Sequence, residues 1–127
     1  MRLDRSASSV ARARSAARSY LARNDRRFTE VDSAVLVVSE LVSNAVQHAT
    51  ERDDIELIMD VREGCLHVEV LDGDPRPPKE EAPDRLDESG RGLRIVDRLS
   101  DRWGWEPVTG NGKRVWCELE RSAHWRR

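Results

Sequence analysis

Hydrophobic positions in the first part of the chain recur at helical spacing. Residues 7–22 predict a first helix with a modest packing stripe, which consists of Val10, Ala17, Tyr20 and Leu21. The sequence "TEVD" at positions 29–32 has the pattern of a capping box, in which two side chains serve the free N–H groups of a helix start. It predicts a second, longer helix that ends at about His48.

After residue 53 the pattern changes to an alternation of apolar and polar residues, which is typical of strands. "DIELIMDV" and "CLHVEVLD", joined through "REG", predict one antiparallel pair. "DRWGWEP" and "GKRVWCELE" predict another, with "VTGNG" as the turn. Between the pairs, residues 73–90 hold four of the five prolines and predict a long functional loop. "GRGLRIVDRLS" predicts a short third helix that begins at a glycine pair.

The order of these elements indicates the α+β fold class. We expect a two-layer α/β sandwich, in which a mixed, mainly antiparallel sheet carries the helices on one face. A chain of 127 residues without internal repeats is long enough for one domain with a core and too short for two. Residues 1–127 are therefore predicted to form a single domain, with flexible ends at residues 1–6 and 121–127.

Composition describes an ordinary soluble protein, with 38% hydrophobic residues and a net charge of −2. Residues 1–27 hold eight Arg against two Asp, so this segment is either an arm for an acidic partner or a helix with a solvated basic face. No apolar run approaches the roughly 20 residues of a membrane span, and no secretory signal is visible. Cys65 and Cys117 lie in predicted strands without metal or redox spacing, which indicates reduced core thiols and a cytoplasmic protein.

The second predicted helix is unusual because it is almost uncharged. The chain is 36% charged, yet residues 33–49 carry one charged side chain, Glu40. At helical spacing, one side of the helix is apolar and consists of Val35, Val38, Val42, Ala45 and Val46. The other side is polar without Lys or Arg and consists of Glu40, Ser43, Asn44, Gln47 and His48. This pattern indicates either the lining of a cavity or a partly covered polar face, and we assign His48 to packing or surface.

Two further positions carry candidate chemistry. Asp72 follows Leu66, Val68 and Val70 on one face of its strand, so it either points toward the core or is a turn residue after a shorter strand. A carboxylate aimed at a core needs hydrogen-bonding partners. "ESGRGL", residues 88–93, places Gly-x-Gly directly before a helix, where backbone N–H groups can approach a phosphate. A plain helix-entry turn is the alternative.

Taken in order, these stretches resemble the nucleotide-binding domain of the GHKL ATPases, the family of DNA gyrase, histidine kinases and MutL. "ELVSNAVQHA" resembles the N box, with Glu40 and Asn44 at its Glu and Asn positions, and "VEVLDGD" resembles the G1 box, with Asp72 as the adenine-reading residue. "GRGLRIV" resembles the G2 box, and "GNGKRV" lies where the last glycine-containing box falls. The resemblance covers roughly residues 7–120.

The resemblance implies a Bergerat fold that binds ATP and Mg²⁺. The short single-domain form is similar to the anti-sigma factor serine/threonine kinases, most of all to small actinobacterial relatives. This similarity implies phosphorylation of a serine or threonine on an antagonist protein, and no direct contact with nucleic acid or membrane. Capture of a sigma factor and formation of a homodimer are left open. Residues 73–90 would be the ATP lid.

The resemblance also implies a role for individual residues. Glu40 would be catalytic, and Asn44 would hold Mg²⁺. The implied nucleotide-binding residues are Asn44, Asp72, Gly73, Gly90, Arg91, Gly92 and Leu93. Asp74 and Pro75 depart from the G1 pattern, which has a second glycine there, and the lid is shorter and more acidic than the glycine-rich lids of larger ATPases.

Three functions compete at this point. The first is a serine/threonine kinase that acts as an anti-sigma switch, and the lone carboxylate of Glu40 favours it. The second is a catalytically silent module whose affinity for a protein partner depends on bound nucleotide. A fragment of a histidine kinase is the third, and it lacks support because the chain has no room for a helix pair with a phospho-acceptor histidine.

Overall fold

The computed structural model describes residues 1–24, 30–48, 54–73, 88–108, 110 and 112–120. Their elements, in chain order, are β1 (Arg2–Leu3), α1 (Ser8–Asn24), α2 (Val31–His48), β2 (Ile55–Arg62), β3 (Cys65–Asp72), α3 (Glu88–Leu99), β4 (Arg102–Val108) and β5 (Gly112–Glu120). Thr29 of the predicted capping box, most of the predicted lid and the C-terminal end at 121–127 lie outside the described residues.

The strands form one open sheet in the order β1-β2-β3-β5-β4. Every pairing between described strands is antiparallel, so the predicted α+β class is confirmed and the sheet has no parallel pair in this part of the chain. Helices α1, α2 and α3 pack on the face where alternate residues of β3 and β5 are buried. The apolar members of these two rows are Leu66, Val68, Val70, Val115, Cys117 and Leu119.

Helix α2 is the central helix of the helical layer. It packs against α1 on one side, α3 on the other and the sheet below. Its buried apolar residues therefore extend well around the helix and include Ala34, Val37, Val38, Leu41, Val42 and Ala45. Burial on three sides explains most of the missing charge, because a charged side chain in any of these positions would lose its hydration. The exposed or half-buried side is narrow and includes Leu36, Glu40, Ser43 and Gln47.

The N-terminus differs from the flexible end that we expected. Arg2–Leu3 form an edge strand beside β2, and Leu3 is buried. The Met1 amino group donates to the Leu57 carbonyl oxygen at 2.8 Å, and the Leu57 N–H donates to the Met1 oxygen at 2.8 Å. A strand of two residues is too short to show alternation, so the sequence pattern does not reveal it.

The two cysteines are free thiols in strands. Cys117 is buried on the helical side of the sheet, and Cys65 is half-buried. Burial raises the pKa of the Cys117 thiol to about 12, so this group stays protonated at neutral pH and is unreactive. None of the helices in the described ranges is long and apolar enough to cross a membrane.

Gly112 fixes how closely the start of β5 approaches the end of β3. A Cβ at this position would clash with the main-chain oxygen of Asp72.

We therefore expect Gly112→Ala to lower the free energy of unfolding by about 1–3 kcal/mol, the usual cost of overpacking. Urea denaturation measures this change. Gly104→Ala is the matched control, because its new Cβ would meet only the Trp116 ring, a half-buried side chain that can shift. An equal or larger loss of unfolding free energy in Gly104→Ala would contradict the importance of the close backbone approach at Gly112.

Candidate functional site

Four elements meet at one end of the sandwich. The register pairs Glu56 with Leu71 and Asp72 with Lys113, so β2 begins, β3 ends and β5 begins at this end. Helix α2 lies over this sheet, where it contacts β2, β3 and α3. Helix α3 ends close to the start of β4, at the opposite end of the sheet. Its first turns therefore lie toward the end that carries Asp72.

Asp72 lies inside the protein. It closes the buried row of β3, and its side chain is 1% exposed, so the alternative of an exposed turn residue is wrong. Lys113 lies directly opposite in register and closes the buried row of β5, with its side chain also 1% exposed. The Lys113 ammonium donates to Asp72 Oδ1 at 3.2 Å.

The two buried charges depend on each other. A lone charge removed from water is costly, and an ion pair with good geometry offsets that cost only in part. Breaking such a pair by removing one partner typically costs about 3–5 kcal/mol, because the other charge remains buried. The salt bridge thus places the Asp72 carboxylate in the interior, where its oxygens can accept hydrogen bonds.

Sequence reasoning missed Lys113. The signal was present, because Val115, Cys117 and Leu119 alternate along β5 and position 113 continues their row. The segment "GNGKRV" resembles the last glycine-containing box, and that resemblance gives position 113 no role. The cross-strand partner of Asp72 follows from the register between β3 and β5, which a single strand does not reveal.

Helix α2 contributes Asn44 and Glu40, one turn apart. Asn44 is 6% exposed, and its amide nitrogen finds no hydrogen-bond partner within the described part of the chain. An unsatisfied buried donor costs about 1–3 kcal/mol, so a ligand that accepts from it would be favoured. Glu40 is half-buried, and it lies at the border between the buried and exposed sides of the helix.

Helix α3 begins two residues earlier than predicted. Its first residue is Glu88, so Gly90 and Gly92 lie within the first two turns rather than before the helix. The first four N–H groups of a helix have no partner within it, and they form the positive end of the helix dipole. Leu93 is 1% exposed, so its side chain belongs to the core. The side chains of residues 88–92, Arg91 among them, and of His48 lie outside the described set.

The end of the sheet also carries an open cleft of about 520 Å³. Its walls are formed by residues of the β1–β2 edge and of the ends of β3, β4 and β5, namely Arg2, Asp54, Ile55, Glu56, Leu71, Asp72, Gly73, Val108, Gly110 and Gly112. Gly110 has φ of 95°, a left-handed conformation that favours glycine. Gly73, predicted as a nucleotide-binding residue, therefore lies on the wall of a solvent-accessible recess next to Asp72.

The residues present fit a nucleotide with a divalent cation. Asp72 supplies a buried acceptor, Asn44 an unpartnered donor and α3 a set of backbone donors. No cluster of three or more His, Cys, Asp or Glu side chains is arranged for a metal ion among the described residues. A Mg²⁺ site needs no such cluster, because this ion keeps several waters and takes few protein ligands beside phosphate oxygens.

Comparison with known proteins gives the same assignment over nearly the whole chain. The family model of the histidine kinase-like ATPase domain matches residues 3–118. The anti-sigma F factor of Clostridium acetobutylicum is 26% identical over 108 residues, which cover 76% of this chain and 75% of that protein.

Two solved structures are similar in fold. The RsbU and RsbW domains of Rv1364c from Mycobacterium tuberculosis superpose with a TM-score of 0.65 at 16% identity, over 94% of this chain and 32% of that one. Full-length ShkA in complex with AMPPNP gives a TM-score of 0.56 at 26% identity, over 70% of this chain and 21% of that one. This chain thus spans a third or less of these two proteins, whereas the family model covers most of it. The chain belongs to the family of histidine kinase-like ATPase domains.

Proposed function

We propose that this protein is an ATP-dependent serine/threonine kinase of the anti-sigma factor type, which transfers the γ-phosphoryl group of ATP to an antagonist protein. The observation that carries the proposal is the buried carboxylate of Asp72 at the end of β3, together with a buried amide nitrogen of Asn44 that finds no partner among the described residues. The similarity to the anti-sigma F factor supports the choice of reaction class.

The base of ATP would be held by Asp72. A carboxylate has about four lone-pair sites, so Asp72 can accept from Lys113 and from the exocyclic amine of adenine together. Its position supports this role, because the carboxylate is buried where β3 ends, next to Gly73 in the chain. The surrounding apolar rows of β3 and β5 exclude water and strengthen the hydrogen bonds that are made.

The phosphates would lie between α2 and the start of α3. The backbone N–H groups of the first turn of α3, where Gly90 and Arg91 lie, would donate to phosphate oxygens. Gly92 remains a nucleotide-binding residue of this proposal on the family pattern alone. The amide of Asn44 would hold Mg²⁺ through its oxygen and donate to a phosphate through its nitrogen. Bound Mg²⁺ would supply positive charge that offsets the negative charge of the phosphates. Arg91 and the lid at 73–90 remain part of this proposal on the family pattern alone.

Glu40 would orient the acceptor hydroxyl and take its proton. In the transfer, the hydroxyl oxygen forms a bond to the γ-phosphorus while the bond from that phosphorus to the bridging oxygen of ADP breaks. The proton moves to the Glu40 carboxylate, and ADP leaves. The position of Glu40 supports this role. It lies one turn before Asn44 and is half-buried, and residues one turn apart are neighbours on the surface of a helix.

The proposal includes partners outside the nucleotide site. An antagonist protein would provide the serine or threonine, and a sigma factor would be a second protein partner, in keeping with the name of the relative in Clostridium acetobutylicum. We propose a cytoplasmic location and leave a homodimer as part of the same hypothesis. No direct contact with nucleic acid or membrane is included.

Replacing Asn44 tests the metal site. We expect Asn44→Ala to abolish the gain in ATP affinity that Mg²⁺ provides, because the ion loses its side-chain ligand. Calorimetric titration of ATP with Mg²⁺ and with excess chelator measures this gain. Gln47→Ala is the matched control, since Gln47 is exposed on the same helix and should keep the gain. An unchanged Mg²⁺-dependent gain in Asn44→Ala would place the metal elsewhere.

Replacing Glu40 separates a kinase from a silent nucleotide-dependent binder. We expect Glu40→Gln to keep ATP affinity within a few-fold, because the amide preserves shape and hydrogen bonds. Phosphoryl transfer to the protein substrate should fall by roughly 10²–10⁴-fold, the usual effect of losing acid–base assistance. The measurement is transfer of labelled phosphate to a cognate antagonist.

Asp32→Asn provides the control for this experiment, because Asp32 lies on the same helix with its side chain 94% exposed. It should transfer phosphate at the wild-type rate. Full transfer by Glu40→Gln would remove Glu40 from catalysis. Nucleotide-dependent binding of the antagonist by the wild type, with no transfer, would favour the silent module.

A further inference from the structure

We propose that Lys113 is a second base-reading residue, whose ammonium donates directly to ring nitrogen N1 of adenine while Asp72 accepts from the exocyclic amine. This inference rests on the proposed function, because it concerns the same nucleotide site. It goes beyond that function by assigning the recognition of the base to a charged pair, and by predicting which changes in the base the protein will reject.

The first support is the position of Lys113. It is the first residue of the buried row of β5 and lies opposite Asp72 in register, at the end of the sheet that holds the candidate site. Both side chains are 1% exposed, and 3.2 Å separates Lys113 Nζ from Asp72 Oδ1. The pairing of β3 with β5 places the donor and the acceptor opposite each other, and Gly112 allows the start of β5 to approach the main-chain oxygen of Asp72.

The second support is that a purely structural role explains this pair poorly. Both buried rows are apolar up to Val70 and Val115, so apolar residues in the last positions would continue the core. A buried ion pair is often no more stabilising than apolar residues of similar volume, because both charges lose their hydration. Charges placed at the end of two apolar rows are better explained by a ligand that they recognise.

The third support is chemical complementarity. The Watson–Crick edge of adenine presents an amine donor next to a ring-nitrogen acceptor. Asp72 and Lys113 present an acceptor next to a donor, and an ammonium has three N–H groups, so it can serve a carboxylate and a ring nitrogen together.

The same pair would discriminate against guanine. Guanine presents a carbonyl oxygen where adenine has its amine and an N–H donor where adenine has N1. In the same orientation, Asp72 would face an oxygen and Lys113 would face an N–H group, so both contacts become repulsive. Specificity of this kind comes from unfavourable contacts with the wrong ligand.

A base analogue tests the assignment without any mutation. 1-Deaza-ATP carries C–H in place of N1 and keeps the exocyclic amine. By calorimetric titration in the presence of Mg²⁺, the wild-type protein should bind 1-deaza-ATP roughly 10- to 100-fold more weakly than ATP, the usual effect of losing a hydrogen bond to a charged group. GTP should bind more weakly still.

A variant then assigns the effect to Lys113. Lys113→Met keeps the length of the side chain and removes the ammonium, so it should bind ATP and 1-deaza-ATP with equal affinity. Arg114→Met is the matched control, because its side chain lies on the opposite face of the sheet with Glu69 and Glu106. It should keep the wild-type preference for ATP. If Lys113→Met does not fold, as judged by circular dichroism, the wild-type comparison decides alone.

The outcomes separate the two levels of the hypothesis. Equal affinity of the wild type for ATP and 1-deaza-ATP would overturn the role of Lys113 and leave ATP binding intact. The role of Lys113 would also be overturned if a folded Lys113→Met kept the wild-type preference for ATP over 1-deaza-ATP. Binding of GTP as tight as that of ATP would overturn it as well. Absence of any ATP binding would overturn the proposed function together with this inference.

Discussion

The site depends on one physical constraint: two opposite charges are buried where two apolar rows end. Asp72 and Lys113 face each other across β3 and β5, and removing either one would leave the other buried without this ion pair. The glycine at position 112 allows the strands to approach closely enough for this arrangement. The remaining buried residues of β3 and β5 are apolar, so the end of the sheet with Asp72 and Lys113 is the part that can recognise a polar ligand.

Helix α2 joins this platform to the catalytic chemistry that we propose. Because α1, α3 and the sheet bury it on three sides, its position is fixed by packing rather than by its own polar residues. Glu40 and Asn44 are therefore held by a rigid element, and a rigid support is what positioning of a phosphoryl group requires.

Much of this fold was predictable from the sequence, because the alternation of apolar and polar residues in a strand, and their helical spacing in a helix, are visible within one segment. The inward direction of Asp72 followed from three apolar residues in the same row. The charge-poor α2 indicated either a cavity lining or a partly covered polar face. Burial against α1, α3 and the sheet explains most of the missing charge, and packing partners cannot be read from one helix. The pairing of Lys113 and the edge strand at Arg2–Leu3 depend on contacts distant in sequence, which local patterns do not contain.

The most direct test of the central claim is calorimetric titration of Mg²⁺-ATP into the wild-type protein and into Asp72→Asn. We predict one ATP per chain for the wild type. For the variant we predict an affinity weaker by about 1.5–3 kcal/mol, the contribution of a hydrogen bond to a charged group. Circular dichroism should show that the variant is folded. Equal affinity of the two folded proteins, or no binding to the wild type, would contradict the claim that the buried charge at the end of β3 recognises the base.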